Sequence, residues 1–288
     1  MKVVITGAGG QLGQALQASA PAEAGVVALD RAGLDIGDGD AVAAMVAANA
    51  PDLIINAAAY TAVDRAESDA DAAWRINATG PGLLAGAAAA RGARFIHVST
   101  DFVFDGAGGV PYRPDQATAP LGVYGASKRA GEEAVQAAHP QALIVRTAWV
   151  YGATGHNFVR TMLRLMAERD EVRVVADQIG TPTYADGLAR ALWALDAAGA
   201  SGIHHWTDSG AASWYDFAVA IQEEALALGL LGRAVPVIPI ATSDYPTPAR
   251  RPFYSVLDKA SAVALVGAPA PHWRVHLRDM LGVIKAHG

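Results

Sequence analysis

The sequence predicts an α/β protein built on a doubly wound parallel sheet. Short apolar runs alternate with longer helix-forming stretches through roughly the first 150 residues, which is the pattern of repeated strand–helix units. The first apolar run, residues 3–6, leads directly into a glycine-rich turn and a helical stretch. With 288 residues, 52% of them hydrophobic, the chain can bury one large domain, or a large and a small one.

Composition and charge exclude several classes of protein. The formal net charge of -6 argues against nucleic acid or an anionic membrane as the main partner. The absence of cysteine excludes disulfides and thiolate chemistry. No apolar run reaches the ~18 residues that a membrane span needs, and the first residues enter a strand pattern without the features of a signal peptide. We therefore expect a cytoplasmic protein.

The first turn carries glycines at a regular spacing of three, with Gln11 and Leu12 between the second and the third. These are Gly7, Gly10 and Gly13. Without a Cβ atom, glycine lets backbone N–H groups approach a pyrophosphate at a helix N-terminus. Because a strand precedes this turn and a helix follows it, the pattern favours dinucleotide binding over an ordinary glycine turn.

The second apolar run, residues 25–29, ends in Asp30 and Arg31. An acid at this place contacts the adenosine ribose hydroxyls of NAD, whereas an arginine accommodates the 2'-phosphate of NADP. The pair leaves the choice between NADH and NADPH open. Asp35 and Ile36 lie on the loop beyond, where they could flank the adenine, although a plain turn is an equal explanation for Asp35.

Small residues follow the third clear run, residues 52–56. Ala57, Ala58 and Ala59 precede Tyr60 at the predicted carboxyl end of a parallel strand, where open α/β sheets bind their ligands. They would leave room for a flat ligand. A tight crossing from strand to loop explains the alanines equally well.

A later run, residues 94–98, leads into hydroxyl and acidic side chains. Thr100 and Asp101 would point at the same crevice as the glycine turn, or serve as simple turn and cap residues. Within the run itself, His97 is expected to be a packed core residue.

Tyr124 and Lys128 are four residues apart in a helix-forming stretch. On a helix they stand on one face about a turn apart. A cation there would favour the phenolate and lower the pKa of the tyrosine, which normally lies near ~10. Taken alone, such a pair occurs by chance on many exposed helices, so its meaning depends on the other motifs.

Together, the glycine turn, the acid after the second run, the hydroxyls after a later run and the Tyr-x-x-x-Lys pair resemble the extended short-chain dehydrogenase/reductases. Matching segments are distributed along nearly the whole chain: residues 7–12, 56–64, 99–106, 123–128, 146–152, 157–158, 177–183, 250–252 and 255–258. The resemblance implies a Rossmann-type sheet. It also implies reduction of the 4-keto group of dTDP-4-dehydro-L-rhamnose with NADPH or NADH. Two alternatives remain: an epimerase or dehydratase of another nucleotide-sugar, and a non-catalytic reductase-like regulatory subunit.

The resemblance assigns roles by position. Tyr124 would be the proton donor, Lys128 would hold the nicotinamide ribose and lower the tyrosine pKa, and Thr100 would polarise the substrate carbonyl. Asp101 would lie beside the substrate, and Phe102 stands where the family often has a tyrosine near the sugar. Further substrate contacts are implied for Trp149 and Asn157.

The resemblance leaves metal dependence and assembly open. Gln14 and Ala15 stand where the family often carries a glutamate that helps to bind Mg²⁺ at a dimer interface. Magnesium is therefore possible but doubtful, and the chain could be a monomer or a homodimer. No group of His, Asp and Glu residues has a metal-ligand spacing, so no metal-binding residues are predicted.

Beyond residue 150 the regular alternation breaks. We expect residues 1–150 to form a dinucleotide-binding domain and residues 151–288 a smaller, partly interleaved α/β substrate domain, with residues 177–206 returning to the main sheet. Arg250 and Arg251 lie between prolines. They could be ordinary solvated charges, but planar guanidinium groups suit a sugar diphosphate, so we expect them on the substrate side.

Overall fold

A six-stranded parallel sheet forms the centre of the molecule in a computed structural model that describes residues 1–287. Its strand order is β10-β5-β4-β3-β1-β2, and the other strands form three small two-stranded sheets. The strands are β1 (Lys2–Thr6), β2 (Gly25–Leu29), β3 (Leu53–Asn56), β4 (Arg94–Thr100), β5 (Leu143–Thr147), β6 (Val150–Tyr151), β7 (Val172–Val175), β8 (Ile179–Gly180), β9 (Thr183–Tyr184), β10 (Gly202–His205), β11 (Ala212–Ser213) and β12 (Val237–Ile240).

Helices cover both faces of the main sheet. They are α1 (Gln11–Ala18), α2 (Gly39–Asn49), α3 (Val63–Ala66), α4 (Ala70–Trp74), α5 (Gly80–Arg91), α6 (Val123–Ala138), α7 (Phe158–Glu168), α8 (Ala185–Ala197), α9 (Trp214–Leu228), α10 (Ala260–Val266) and α11 (Trp273–His287). A single turn of π-helix (Arg75–Thr79) continues α4, and a short 3-10 helix (Asp101–Val103) follows β4.

Residues that alternate along β1 show how the sheet divides the core. Val3 and Ile5 pack with α1 and α8 in one cluster, while Val4 packs with α2, α5 and α6 in another. All three side chains are fully buried. Since successive side chains of a strand point to opposite faces, a strand that is apolar throughout must be covered on both sides. The predicted doubly wound parallel fold is confirmed.

Part of the second half of the chain belongs to the main sheet. Strand β10 pairs in parallel with β5 at the edge of the sheet, and α8 packs against α1. Helix α10 also packs with α8 in the main-sheet core. Elements α7, α9, α11 and β7 form a separate hydrophobic cluster. Ser213 caps α9, because its side chain accepts a hydrogen bond from the backbone N–H of Asp216.

The short β12 strand pairs in parallel with β7 in a two-stranded sheet, where its proline, Pro239, can be tolerated. Across residues 1–287, no helix combines the length and the apolar character that a membrane crossing requires.

Candidate active site

A long cleft of about 1340 Å³ follows the carboxyl edge of the main sheet. Its walls come from the glycine turn, from the segments after β2, β3, β4 and β5, and from the start of α6. This is where open parallel sheets bind ligands. Among the site residues predicted from sequence, all line the cleft except Gly13, Asn157 and Arg250.

The glycine turn is shaped by close backbone contacts. Gly7 has a φ of +70°, and a Cβ atom there would lie 2.6 Å from the backbone nitrogen of Ala58. A Cβ on Gly13 would overlap the carbonyl oxygen of Gly7. Gly13 is therefore buried beneath the turn and shapes it from behind, while Gly7 and Gly10 line the cleft. The N-terminus of α1 opens directly onto this cradle.

Asp30 and Arg31 are both exposed at the rim of the cleft. The Asp30 carboxylate accepts hydrogen bonds from the backbone N–H groups of Ala32 (3.0 Å) and Gly33 (2.9 Å), which closes a tight turn after β2. Arg31 is available beside it for an additional phosphate, so both features of the sequence pattern reach the cleft.

Asp35 forms an ion pair with Arg75 in addition to its place in a turn. Its carboxylate is 2.8 Å from the guanidinium of Arg75, which holds the pKa of Asp35 below its usual value. Ile36 is buried beside it and contributes an apolar surface to the same end of the cleft.

Thr100, Tyr124 and Lys128 meet at the middle of the cleft. Thr100 ends β4, and its hydroxyl donates to Asp101 at 2.9 Å. Tyr124 lies in the first turn of α6, and its ring packs edge-to-face with Phe102 at a centroid distance of 5.4 Å. Burial raises the pKa of Tyr124 to about 12, while the neighbouring Thr100 hydroxyl favours a lower value. The phenol is therefore protonated at neutral pH and can act as an acid.

The net shift of the Tyr124 pKa is upward, and the expected lowering by Lys128 stays a prediction. The pKa of Tyr124 is raised rather than lowered, because the loss of hydration on burial outweighs every favourable contact of the phenolate. Lys128 itself is 2% exposed, and its ammonium donates to the carbonyl of Val98 at 2.8 Å. Burial lowers the pKa of Lys128 to about 8.

A buried ion pair lies directly behind the trio. Glu132 and Arg146 are 0% and 2% exposed, and two guanidinium nitrogens donate to the two carboxylate oxygens at 2.8 and 2.7 Å. Ser99 adds a third donor to Glu132 at 2.6 Å. The pair connects α6 to β4 and β5, and so holds the tyrosine helix against the end of the sheet.

Comparison with known proteins identifies the family. A family model described as RmlD substrate binding domain matches residues 1–285. The chain belongs to this family.

Full-length relatives and solved structures agree with this assignment. A dTDP-4-dehydrorhamnose reductase from Burkholderia thailandensis is 45% identical over 296 residues, which cover 98% of this chain and 99% of that protein. The crystal structure of such a reductase from Clostridium acetobutylicum superposes with a TM-score of 0.94 at 40% identity, covering 99% of this chain and 100% of that one. A Bacillus anthracis reductase in complex with NADP gives a TM-score of 0.93 at 39% identity, with 98% and 99% covered. The resemblance seen in the sequence is confirmed.

Two stacked tryptophans line the cleft of this RmlD family member. Trp149 and Trp214 lie face to face with ring centroids 3.5 Å apart. Trp149 has a φ of +49°, an unusual conformation for a bulky residue. Trp149 was expected from the sequence, whereas Trp214 was not, because a tryptophan at a helix start is also typical of core packing.

The structure separates the two arginines that the sequence placed together. Arg251 lines the cleft and forms a forked ion pair with Asp64, at 3.1 Å and 2.8 Å. Arg250 is exposed and lies outside the cleft lining. Any guanidinium contact to a ligand in this cleft therefore falls to Arg251.

Asn157 has a structural position instead of the expected place on the cleft wall. Its side chain accepts from the N–H of Arg160 and thereby caps α7, and it donates to Gln11 at 2.8 Å. It is buried and connects the second half of the chain to the glycine turn.

Asn77 is a positioning residue that sequence reasoning missed. Its amide bonds both backbone groups of Tyr60, at 2.8 and 3.1 Å, and also the hydroxyl of Ser127 on α6. A buried asparagine in a stretch of charged residues leaves no pattern by which it could be recognised. Within residues 1–287, no cluster of three or more His, Cys, Asp or Glu side chains is arranged to hold a metal ion.

Proposed function

We propose that the chain catalyses the NADPH- or NADH-dependent reduction of the 4-keto group of dTDP-4-dehydro-L-rhamnose to dTDP-L-rhamnose. The observation that carries this proposal is the meeting of Thr100, Tyr124 and Lys128 in the cleft that also contains the glycine turn. The full-length relatives named dTDP-4-dehydrorhamnose reductase support the choice of substrate.

The cradle fits a dinucleotide. A Cβ atom at Gly7 would fill the space beside the Ala57–Ala58 backbone, and the N-terminus of α1 provides N–H groups for a pyrophosphate. Asp30 and Arg31 would hold the adenosine ribose or its phosphate. When bound, the nicotinamide supplies the hydride that reduces the keto carbon.

The residues at the centre of the cleft would handle the proton. Thr100 would donate a hydrogen bond to the keto oxygen, which polarises the carbonyl. Tyr124, protonated because burial raises its pKa to about 12, would transfer its proton to the oxygen as it becomes an alkoxide. Lys128 would hold the nicotinamide ribose.

The substrate would enter between the main sheet and the hydrophobic cluster formed by α7, α9, α11 and β7. In this arrangement residues 1–150, with the segment 177–206, bind the dinucleotide, and the remainder of residues 151–288 closes over the nucleotide-sugar. Asp101 and Phe102 would lie beside the sugar, Trp149 would face the nucleotide-sugar, and Arg251 would contact its diphosphate. The chain would work in the cytoplasm, as a monomer or a homodimer.

Turnover provides the direct test. The purified chain is mixed with enzymatically prepared dTDP-4-dehydro-L-rhamnose, and the absorbance of NADPH or NADH is followed. Oxidation of the nicotinamide with formation of dTDP-L-rhamnose is expected. Absence of turnover with both cofactors refutes the proposal, and tightly bound NAD that is recycled without net oxidation favours an epimerase or dehydratase.

Replacement of the proton donor tests the mechanism. Tyr124→Phe removes the phenolic proton, so we expect kcat to fall by ~10²–10⁴ while cofactor binding is kept. Tyr245→Phe, at a tyrosine that is 60% exposed, is the matched control and should leave kcat unchanged. Unaltered turnover in the Tyr124 variant would remove this residue from the mechanism.

A further inference from the structure

A row of buried polar side chains crosses the sheet beneath the cleft. Thr6 in β1, Asn56 in β3 and His97 in β4 are register partners on adjacent strands, so their side chains point to the same face. The row ends at Lys128 on α6. None of the four is more than 2% exposed, and none of the first three has a role in the proposed reaction.

Hydrogen bonds orient the Asn56 side chain unambiguously. Its amide oxygen accepts from the hydroxyl of Thr6 at 2.7 Å and from the backbone N–H of Ala58 at 3.1 Å. A backbone N–H can only donate, so the oxygen must face it. The amide nitrogen then faces Nδ1 of His97 at 3.0 Å.

This orientation determines the proton position on His97. An amide nitrogen only donates, so Nδ1 must accept and carries no proton. Burial lowers the pKa of His97 well below its ordinary value, with a further contribution from the charge of Lys128. The ring is therefore neutral, and its single proton lies on Nε2.

The Nε2–H group faces the lysine. Nε2 of His97 is 3.4 Å from Nζ of Lys128, which also donates to the carbonyl of Val98 at 2.8 Å. An ammonium group has three donors and no acceptor, so an N–H group opposite it is unfavourable. A neutral amine has a lone pair that can accept from Nε2–H while its own N–H groups still reach the carbonyl.

The titratable groups around Lys128 are Tyr124 and Glu132 on its own helix and His97 in β4. Asp101, in the short helix after β4, acts on Tyr124. Glu132 favours the charged lysine, but its carboxylate is already neutralised by a paired arginine. Burial favours the neutral amine, in the same direction as the histidine N–H.

We propose that His97 is a positioning residue for Lys128: oriented by Asn56, its Nε2–H group meets the lysine nitrogen and favours the neutral amine there. An amine that changes protonation near working pH can accept or release a proton during turnover, which a permanently charged lysine cannot. This catalytic consequence rests on the proposed function. The protonation of the two side chains does not, and it can be measured without turnover.

The tautomer of His97 is tested on the unmodified chain. With ¹⁵N-labelled histidine, two-bond ¹⁵N–¹H correlation spectra distinguish a ring proton on Nε2 from one on Nδ1, and the His97 signal is identified by its loss in His97→Gln. A neutral ring with its proton on Nε2 is expected. A proton on Nδ1, or a charged ring at neutral pH, overturns the proposal.

The effect on the lysine is tested with two variants of similar size. The chain contains four lysines, so ¹³C/¹⁵N-labelled lysine gives few side-chain signals, and Lys128 is assigned by its absence in Lys128→Met. His97→Gln keeps an acceptor for Asn56 and an N–H donor for the lysine, and should leave the Lys128 titration as in the wild type. His97→Met removes the donor and should raise the Lys128 midpoint by about one pH unit relative to His97→Gln.

An equal or lower midpoint in His97→Met would refute the role of the donor. If His97→Met does not fold, the tautomer measurement on the wild-type chain still decides the proposal. A correct tautomer and lysine titration in a chain without reductase activity would refute the proposed function alone.

Discussion

Two buried cations lie within the same part of the molecule, yet their surroundings are opposite. Lys128 and Arg146 are each 2% exposed. Arg146 is held by both carboxylate oxygens of Glu132 and donates in addition to the carbonyl of Pro114. The Lys128 nitrogen lies against a carbonyl and a histidine ring, and the residue lines the cleft.

This difference in partners gives the two cations different roles: Arg146 supports the structure, whereas Lys128 can take part in proton transfer. A buried charge that is fully paired keeps its charge and holds its neighbours in place. A buried amine without a carboxylate in contact loses much of its preference for the proton, and the pKa of Lys128 falls to about 8 as a result. The fold thus places a permanent cation behind the site and a titratable one inside it.

Breaking the buried pair should have the largest effect on stability. Glu132→Gln keeps the shape of the side chain but leaves Arg146 buried without a counter-charge, so we expect the free energy of unfolding to fall by ~3–5 kcal/mol. Chemical denaturation measures it. Glu133→Gln is the matched control, because this neighbouring carboxylate is 60% exposed and pairs with Arg129 at the surface. It should cost less than ~1 kcal/mol. Similar losses in the two variants would contradict a supporting role for the buried pair.

Removing Lys128 should increase the free energy of unfolding at neutral pH, which is the opposite of the effect of breaking the ion pair. Since burial lowers the pKa of folded Lys128 from 10.5 to about 8, the unfolded chain binds the extra proton between these pH values, and wild-type stability rises with pH across that window. Below pH 8 the full penalty applies, ~3 kcal/mol. Lys128→Met should therefore be more stable than the wild type at pH 7 and lose this advantage by pH 10.5.

Unfolding midpoints measured across that pH range test the lysine prediction. Lys285→Met, at an exposed lysine in the last helix, serves as the control and should leave the pH dependence unchanged. If Lys128→Met is destabilised at every pH, the lysine belongs with Arg146 as a supporting cation. The Lys128→Met variant should lose turnover in either case.

A third cation, Arg251, is less buried than these two. Arg251 is 26% exposed and shares its guanidinium with Asp64 at the edge of the cleft. If it contacts the substrate diphosphate, Arg251→Lys loses the planar fork, and KM for the nucleotide-sugar should rise about tenfold with kcat little changed. Steady-state kinetics separate the two constants. Arg250→Lys, at the exposed neighbour, is the control; equal effects at both positions would contradict a specific contact.

Much of the site could be predicted because its residues come in short, local patterns. The glycine spacing and the Tyr124–Lys128 pair each lie within one turn or one helix, where sequence separation translates directly into distance. Arg250 and Arg251 do not belong to such a pattern. They are adjacent in sequence, but an irregular segment turns one toward the cleft and the other away, and no periodicity indicates which.

The sequence by itself determined the parallel doubly wound fold, the family and the central trio, because these depend on hydrophobic periodicity and on motifs of a few residues. Only the tertiary structure decided which hydrogen bonds and which pKa shifts those groups have. Strand register brings Thr6, Asn56 and His97 side by side although they are 50 and 41 residues apart, and burial sets the direction of the pKa shifts in Tyr124 and Lys128. Both effects arise from neighbours that are distant along the chain, so a local sequence pattern cannot predict them.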